Sequence, residues 1–196
     1  MTLRPFVLTR SFFLGSQKFG TYWTGDNYSV DNEVFGALKM LLQNGVGGNV
    51  FGGADIPGFM GNPPDEMWVR MYQLGMYFPF FRAHSHLENT HREPWLQSQR
   101  VQDVIRDSVY KRYAMIHYVY ATFYQATQTG VPLMRPMWLE FPDETIFEAM
   151  ETQFMLGDSM LVAPKLTAPT DELEAEQKQE VTFTLPEGAI WYDENK

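Results

Sequence analysis

The chain contains no cysteine, so disulfides, thiolate metal sites and a cysteine nucleophile are all excluded. That absence leaves the compartment open, because secreted chains without cysteine exist. No apolar run reaches the ~18 residues that a membrane-spanning helix needs. The first residues, Met-Thr-Leu-Arg-Pro-Phe-Val-Leu, lack the longer apolar core and small-residue cleavage site of a signal peptide. Bases are scarce: 15 Lys and Arg stand against 24 Asp and Glu, a net charge of −9, which argues against a nucleic-acid partner. The scarcity is uneven. Residues 140–196 hold 14 acids and three bases, whereas residues 1–139 hold ten acids and 12 bases, and the break suggests two modules. Residues 169–180 also lack aromatics and are rich in Glu and Gln, so they read as a disordered surface insertion. What is present is an ordinary globular composition: 196 residues with 44% hydrophobic and 15% aromatic side chains, enough for one domain or one and a half.

The stretch Phe19 to Asn27, FGTYWTGDN, organises the rest. It reads as a short buried strand that stops at a glycine turn, with the carboxylate of Asp26 at the stop and Trp23 three residues before it. An acid beside an indole face can hold a sugar ring and protonate the oxygen leaving it. Gly25-Asp26 can equally be a plain turn in which Asp supplies an Asx hydrogen bond. Three other stretches repeat the design. The apolar run 5–9 ends at Arg10; a third strand, 46–51, ends at Gly52-Gly53-Ala54-Asp55; a fourth, 77–81, ends at Arg82-Ala83-His84. Between them, apolar residues at 34, 35, 38, 41 and 42 predict a helix over 31–44 closed by Asn44-Gly45. Asn62-Pro63-Pro64-Asp65-Glu66 opens another helix, with proline and acids in its first turn.

A long helix is predicted from about Ser98 to Gln128, its stripe being Val101, Val104, Ile105, Val109, Tyr113, Ile116, Tyr120 and Phe123. Beyond Gly130 the pattern becomes short β-like runs at 133–141, 154–156, 160–163, 181–185 and 190–192. Strands alternating with helices call for a parallel sheet, and in a parallel barrel the active site collects residues from several strand C-termini. Arg10, Asp26, Asp55 and His84 fit that design. They also fit an ion-pair network, Arg10 with Asp26 and Arg82 with Asp55, that caps a sheet without chemistry. His84, His86 and His91 could form a metal site, although a better-spaced third ligand is not evident. Asn27-Tyr28-Ser29 is a glycosylation sequon set against the proposed acid, where a glycan would not fit.

Taken together, RPFVLTRSFFLGSQKFGTYWTGDN (4–27), GGADIPGF (52–59), PFFRAHSH (79–86), REPW (92–95), VPLMRPMW (131–138), LGDSMLVAP (156–164) and EGAIWYD (187–193) resemble glycoside hydrolase family 31 in order and spacing. The resemblance implies an α/β fold: the second half of a (β/α)8 TIM barrel over 1–130, followed by part of an all-β C-terminal domain over 131–196. It implies Asp26 as general acid/base. It implies Arg10, Trp23, Asp55, Phe59 and His84 as substrate-binding groups, Trp23 walling the subsite of a terminal glucose and Phe59 standing at the pocket mouth. Apolar neighbours such as Trp23 and Tyr22 would favour the protonated acid by desolvation, and Arg10 would oppose them.

The resemblance is nearest to a member that trims glucose from glycoprotein glycans in the endoplasmic reticulum. It therefore implies an α-glucoside substrate, a regulatory β subunit as partner, an endoplasmic-reticulum location, no cofactor and no metal. The family's nucleophilic aspartate, in a Trp-x-Asp-Met-Asn-Glu-like strand end, has no counterpart in this sequence. The expectation is accordingly a catalytic portion that is inactive by itself. The alternatives are another family 31 enzyme, such as a different α-glucosidase or an α-xylosidase, and a non-catalytic sugar-binding or inactive fragment.

Overall fold

A computed structural model describes residues 5–168 and 180–194. The expected insertion at 169–180 therefore lies almost wholly outside the described residues.

Strand β1 (Leu8–Thr9) pairs in parallel with β2 (Thr21–Trp23), Leu8 opposite Thr21. A single turn of 3-10 helix at Ser16–Lys18 joins them. Helix α1 (Asp31–Val46) then leads to β3 (Gly52–Gly53), parallel to β2 with Trp23 opposite Gly53. After Ala54 the chain resumes as β4 (Asp55–Ile56). Helix α2 (Asp65–Gly75) follows, and β5 (Arg82–Ala83) pairs in parallel with β4, Asp55 opposite Arg82. The amide of Phe80 donates to Gly52 O at 2.9 Å, which carries the β5 segment onto β3 as well. Residues 52–56 thus act as one bent strand between β2 and β5, and all four strands point the same way.

Strands β1 and β2 fall within their predicted runs, whereas the third and fourth strand segments sit later in the sequence than their apolar runs predict. Residues 46–51 are the end of α1 and a turn, with Asn49 N donating to Asn44 O at 2.9 Å. Residues 77–80 are a turn as well, since Tyr77 N and Phe78 N still bond to the last carbonyls of α2. The strands proper are the glycine-rich and polar segments that follow. Their burial comes from neighbours rather than from their own side chains: a Cβ on Gly52 would fall within 2.4 Å of three Tyr22 ring atoms. Gly45, expected as a helix stop, lies inside α1. There it lets the helix approach Pro132, whose Cβ would be 3.1 Å from an added methyl.

Helix α1 buries Val34, Ala37, Leu38, Leu41 and Leu42, and α2 buries Met67, Trp68, Met71, Tyr72 and Leu74. Each large apolar side chain so buried contributes about 1.5–3 kcal/mol. The predicted long helix is two, α3 (Gln99–Ala114) and α4 (Ile116–Thr129), meeting at Met115. Its buried stripe differs from the expected one. Val101, Ile105, Ser108, Met115, Val119, Thr122 and Ala126 are buried, while Tyr113, Ile116 and Tyr120 are exposed. Val109 and Phe123 also pack against the core, so apolarity found part of the packed face but missed its polar members and added three exposed residues. Those polar members are satisfied. Thr122 Oγ1 donates to Tyr118 O at 2.9 Å, and the Arg112 guanidinium donates to the carbonyls of Met76, Phe78 and Pro79, each at 2.9 Å. Arg112 thereby caps the end of α2 and orients the turn that delivers β5.

Beyond Gly130, β6 (Met134–Pro136), the short helix α5 (Met137–Glu140), β7 (Phe154–Leu156) and β8 (Met160–Val162) form an antiparallel sheet in the order β6-β7-β8. The runs 181–185 and 190–192 are not strands. Thr184 instead exchanges two hydrogen bonds of 2.8 Å with the side-chain amide of buried Gln153, which takes the place of a neighbouring strand. Arg70, 4% exposed, ties the parts together, donating to Asp31 on α1 and to Leu166 O. Among the described residues no helix is long and apolar enough to cross a membrane.

Candidate active site

Because the strands are parallel, their C-terminal ends share one rim. Arg10 follows β1, Asp26 lies three residues beyond β2, Asp55 opens β4 and His84 follows β5. Strand alternation decides which side chains reach the inner face. On β2, Tyr22 is buried toward the helices, 4.2 Å ring to ring from Phe12 and hydrogen-bonded to Asn44 of α1. Trp23 therefore faces the other way, where the Arg82 guanidinium lies 5.4 Å from its ring centroid. Tyr22 is thus turned away from Asp26, contrary to the expectation that it would help to desolvate the acid. On β4, Ile56 points at Gly75 of α2, so Asp55 points inward.

Asp26 is half-exposed, and its Oδ1 lies 3.5 Å from Arg10 Nη1. Gly25 sets that distance. Its φ of 85° belongs to the left-handed region, and a Cβ there would lie 3.2 Å from both Arg10 Nε and Nη2. Asp55 is 0% exposed and its Oδ1 accepts from Arg82. Burial pushes its carboxyl above the ordinary carboxylate range. The hydrogen bond and charge of Arg82 pull it back, His84 adds a smaller pull, and the charge of Asp26 pushes it up. Asp26, Asp55, Arg82 and His84 therefore share one electrostatic neighbourhood. Phe59, half-buried, lies 5.2 Å from the His84 ring and 5.6 Å from that of His86.

The loops that carry these groups are stitched to one another. Phe59 N donates to Asn27 O at 2.7 Å, His86 N to Phe59 O at 2.9 Å, and Asn89 Nδ2 to Phe59 O at 2.7 Å. Arg92 donates to the carbonyls of Gly58 and Gly61. Burial pulls the pKa of its guanidinium below the usual value. Asn27, 6% exposed, donates through Nδ2 to Asp55 O at 3.2 Å, so the sequon nitrogen is sealed inside. Of the three histidines, His86 accepts from Glu88 N and His91 sits 3.5 Å from Glu93.

Both ion pairs foreseen for a purely structural cap do form. They do not satisfy the site, however. Asp55 Oδ2, Trp23 Nε1 and Thr24 Oγ1 are buried without a hydrogen-bond partner among the described residues. Buried polar atoms are rarely left so. An acceptor and two donor-bearing groups around an aromatic face match the surface of a polyhydroxylated ring. Arg82, Arg92 and Asn89 were not picked out as site residues from the sequence. Arg82 was legible only as a partner for Asp55. The clamps made by Arg92 and Asn89 depend on carbonyls 30 to 34 residues away and on the Gly61 amide, which donates to Asn89 Oδ1, and these leave no local pattern.

A groove of about 1030 Å³ lies elsewhere, between α2, α3 and the 181–194 segment, lined by Tyr77, Arg100, Phe183 and Trp191 among others. None of Arg10, Trp23, Asp26, Asp55, Phe59 and His84 lines it.

Comparison with known proteins follows the same division. The glycosyl hydrolases family 31 TIM-barrel domain matches residues 2–122, and the glycosyl hydrolase family 31 C-terminal domain matches residues 130–196. Mouse neutral alpha-glucosidase AB is 43% identical over 190 residues, 97% of this chain and 19% of its own length. Human neutral alpha-glucosidase C is 45% identical over 191 residues, 97% of this chain and 20% of its own. The chain thus spans about a fifth of the length of these relatives. The crystal structure of the heterodimeric complex of ER glucosidase II, its catalytic subunit with the binding domain of its regulatory subunit, superposes with a TM-score of 0.82. The identity there is 38%, over 84% of this chain and 18% of that one.

Proposed function

The chain belongs to glycoside hydrolase family 31, with part of its TIM barrel and the start of its C-terminal domain, and on that premise we propose that it is the acid/base-bearing portion of a retaining α-glucosidase. The observation that carries the reading is a solvent-reaching carboxylate, Asp26, held at 3.5 Å by Arg10 on the same rim as the buried Asp55 Oδ2 and Trp23 Nε1, neither of which has a partner among the described residues. In this reading Trp23 stacks under a terminal α-linked glucose, Asp55, His84 and Arg10 hold its hydroxyls, and Phe59 guards the mouth.

Acetal cleavage develops positive charge on the ring and negative charge on the departing oxygen. Asp26 gives its proton to that oxygen, and later takes one from water. Retention needs a second, nucleophilic carboxylate at ~5–5.5 Å from the first. Asp55 is a poor candidate because Arg82 already engages it. The missing Trp-x-Asp-Met-Asn-Glu-like segment is where the reading places the nucleophile. The barrel portion is assigned to 1–130 and the β domain to 131–196. By analogy with the glucosidase II neighbour, the setting is N-glycan trimming in the endoplasmic reticulum with a regulatory β subunit.

The test is calorimetry of the purified chain with deoxynojirimycin, together with hydrolysis of 4-nitrophenyl α-glucoside. Binding is expected, and Asp26→Asn should weaken it at least tenfold. Because Asp26 is exposed and singly paired, its loss should change stability by no more than about 0.5 kcal/mol. No hydrolysis is expected from the chain alone. Failure to bind, or binding indifferent to Asp26→Asn, would overturn the sugar-site reading. Release of 4-nitrophenol would overturn the claim that the nucleophile lies outside this chain.

A further inference from the structure

We propose that Arg82 is a positioning residue: clamped between two aromatic rings, it holds one oxygen of Asp55 so that the other is presented to a substrate hydroxyl as a fixed acceptor. The proposal rests on the sugar-site reading above and names a residue which that reading leaves without a task.

The geometry is specific. The Arg82 guanidinium carbon lies 5.4 Å from the Trp23 ring centroid and 5.4 Å from that of Phe80. A planar guanidinium between two rings loses most of its freedom, and its fork then aims its N–H groups along one direction. Nη2 donates to Asp55 Oδ1, while Oδ2 is buried and has no partner among the described residues. A carboxylic acid carries its proton on either oxygen and can donate as well as accept. An ionised carboxylate with one oxygen engaged can only accept at the other. Asp55 is fully buried, and burial favours its neutral form; Arg82 is the strongest opposing influence. The other charged groups acting around Asp55 are His84, Asp26 and Arg92. The same arrangement would make Trp23 and Asp55 one unit, because Arg82 touches both.

Two measurements separate this inference from the reading beneath it. The first needs no ligand. The Asp55 carboxyl carbon is followed by NMR against pH in the parent chain, in Arg82→Gln and in Arg82→Lys, with Asp55→Asn giving the assignment. The midpoint is expected to rise by at least one pH unit in Arg82→Gln and by less in Arg82→Lys. An unmoved midpoint overturns the proposal. Should Arg82→Gln not fold, as judged by circular dichroism, the Lys variant carries the comparison, since it keeps the charge and loses the fork.

The second measurement is glucose binding between pH 5 and 8, glucose being uncharged throughout. His84, Asp26 and Arg92 are present in every variant, and the carboxyl midpoint from the first measurement identifies which part of the pH dependence belongs to Asp55. Relative to the parent, Arg82→Gln should lose at least tenfold more affinity at pH 5 than at pH 8, with Arg82→Lys intermediate. A loss equal at every pH, unrelieved by lysine, would mark a merely structural role and overturn the proposal. A shifted carboxyl midpoint with no glucose binding by the parent chain would overturn the sugar-site reading, and with it the hydroxyl as the target of Oδ2.

Discussion

Replacing Gly53 by alanine places a methyl group 2.1 Å from the carbonyl oxygen of Phe80 and 3.0 Å from its carbonyl carbon. The obstacle is backbone, so no side-chain rotation relieves it. Overpacking of a tight site costs about 1–3 kcal/mol, and an immovable neighbour puts Gly53→Ala at the upper end. Relief must come from parting β3 and the segment entering β5, which also strains the 2.9 Å bond from Phe80 N to Gly52 O. A hydrogen bond lost there adds about 1 kcal/mol, for a total of about 3–4 kcal/mol. At about 2–4 °C per kcal/mol for a chain of this size, the thermal midpoint should fall by roughly 6–16 °C. Because Phe80 packs on Arg82, the displacement should reach the candidate site and weaken sugar binding as well. The control is Gly61→Ala, whose Cβ meets nothing within 4 Å although φ is +84°. It should cost only the about 1–2 kcal/mol of a left-handed alanine. Melting followed by circular dichroism decides the matter. A Gly53→Ala chain that melts within a degree of the parent would refute the claim that β3 and β5 are joined by direct backbone contact.

Gln153→Ala should release the 181–185 segment, because it leaves both backbone groups of Thr184 unpaired. The cost is expected at about 1–3 kcal/mol. Hydrogen exchange should show the Thr184 amide opening faster, and unchanged exchange there would sink the assignment. Tyr72 and Tyr77 are both pushed up to about 12 by burial. Their unfolded value is 10.0. The folded chain therefore holds more protons than the unfolded one between about pH 10 and 12, and stability present below pH 10 should be lost as pH rises through that window. An ultraviolet titration should show these two ionising late or only with unfolding; ionisation of all tyrosines together near pH 10 in a still-folded chain would contradict their burial.

Much of this protein was legible in one dimension. The order of strands and helices followed from period and punctuation, and the polar residues after each strand pointed to a shared rim. Three signals misled. The third and fourth strands lie beyond their apolar runs, because Gly52 and Gly53 are buried by Tyr22 and Phe80 rather than by side chains of their own. The helical stripe was only partly right: Val101, Ile105, Val109 and Phe123 pack, but Tyr113, Ile116 and Tyr120 are exposed and Ser108, Arg112 and Thr122 occupy the packed side. The run 181–185 looked like a strand, but its partner is a glutamine side chain.

By itself, then, the sequence determined the alternation of elements, the absence of thiol chemistry, the family, and which acids and bases end the strands. Those are properties of local pattern and motif. Only the tertiary structure decided that Tyr22 turns its back on Asp26, that Arg82 sits between Trp23 and Phe80, and that Asp55 keeps one oxygen unclaimed. Each of these depends on which side of a pleated strand meets a neighbour brought in by another element, as Arg82 meets Asp55 and Trp23, and a linear pattern carries no record of such meetings until the sheet has closed around them.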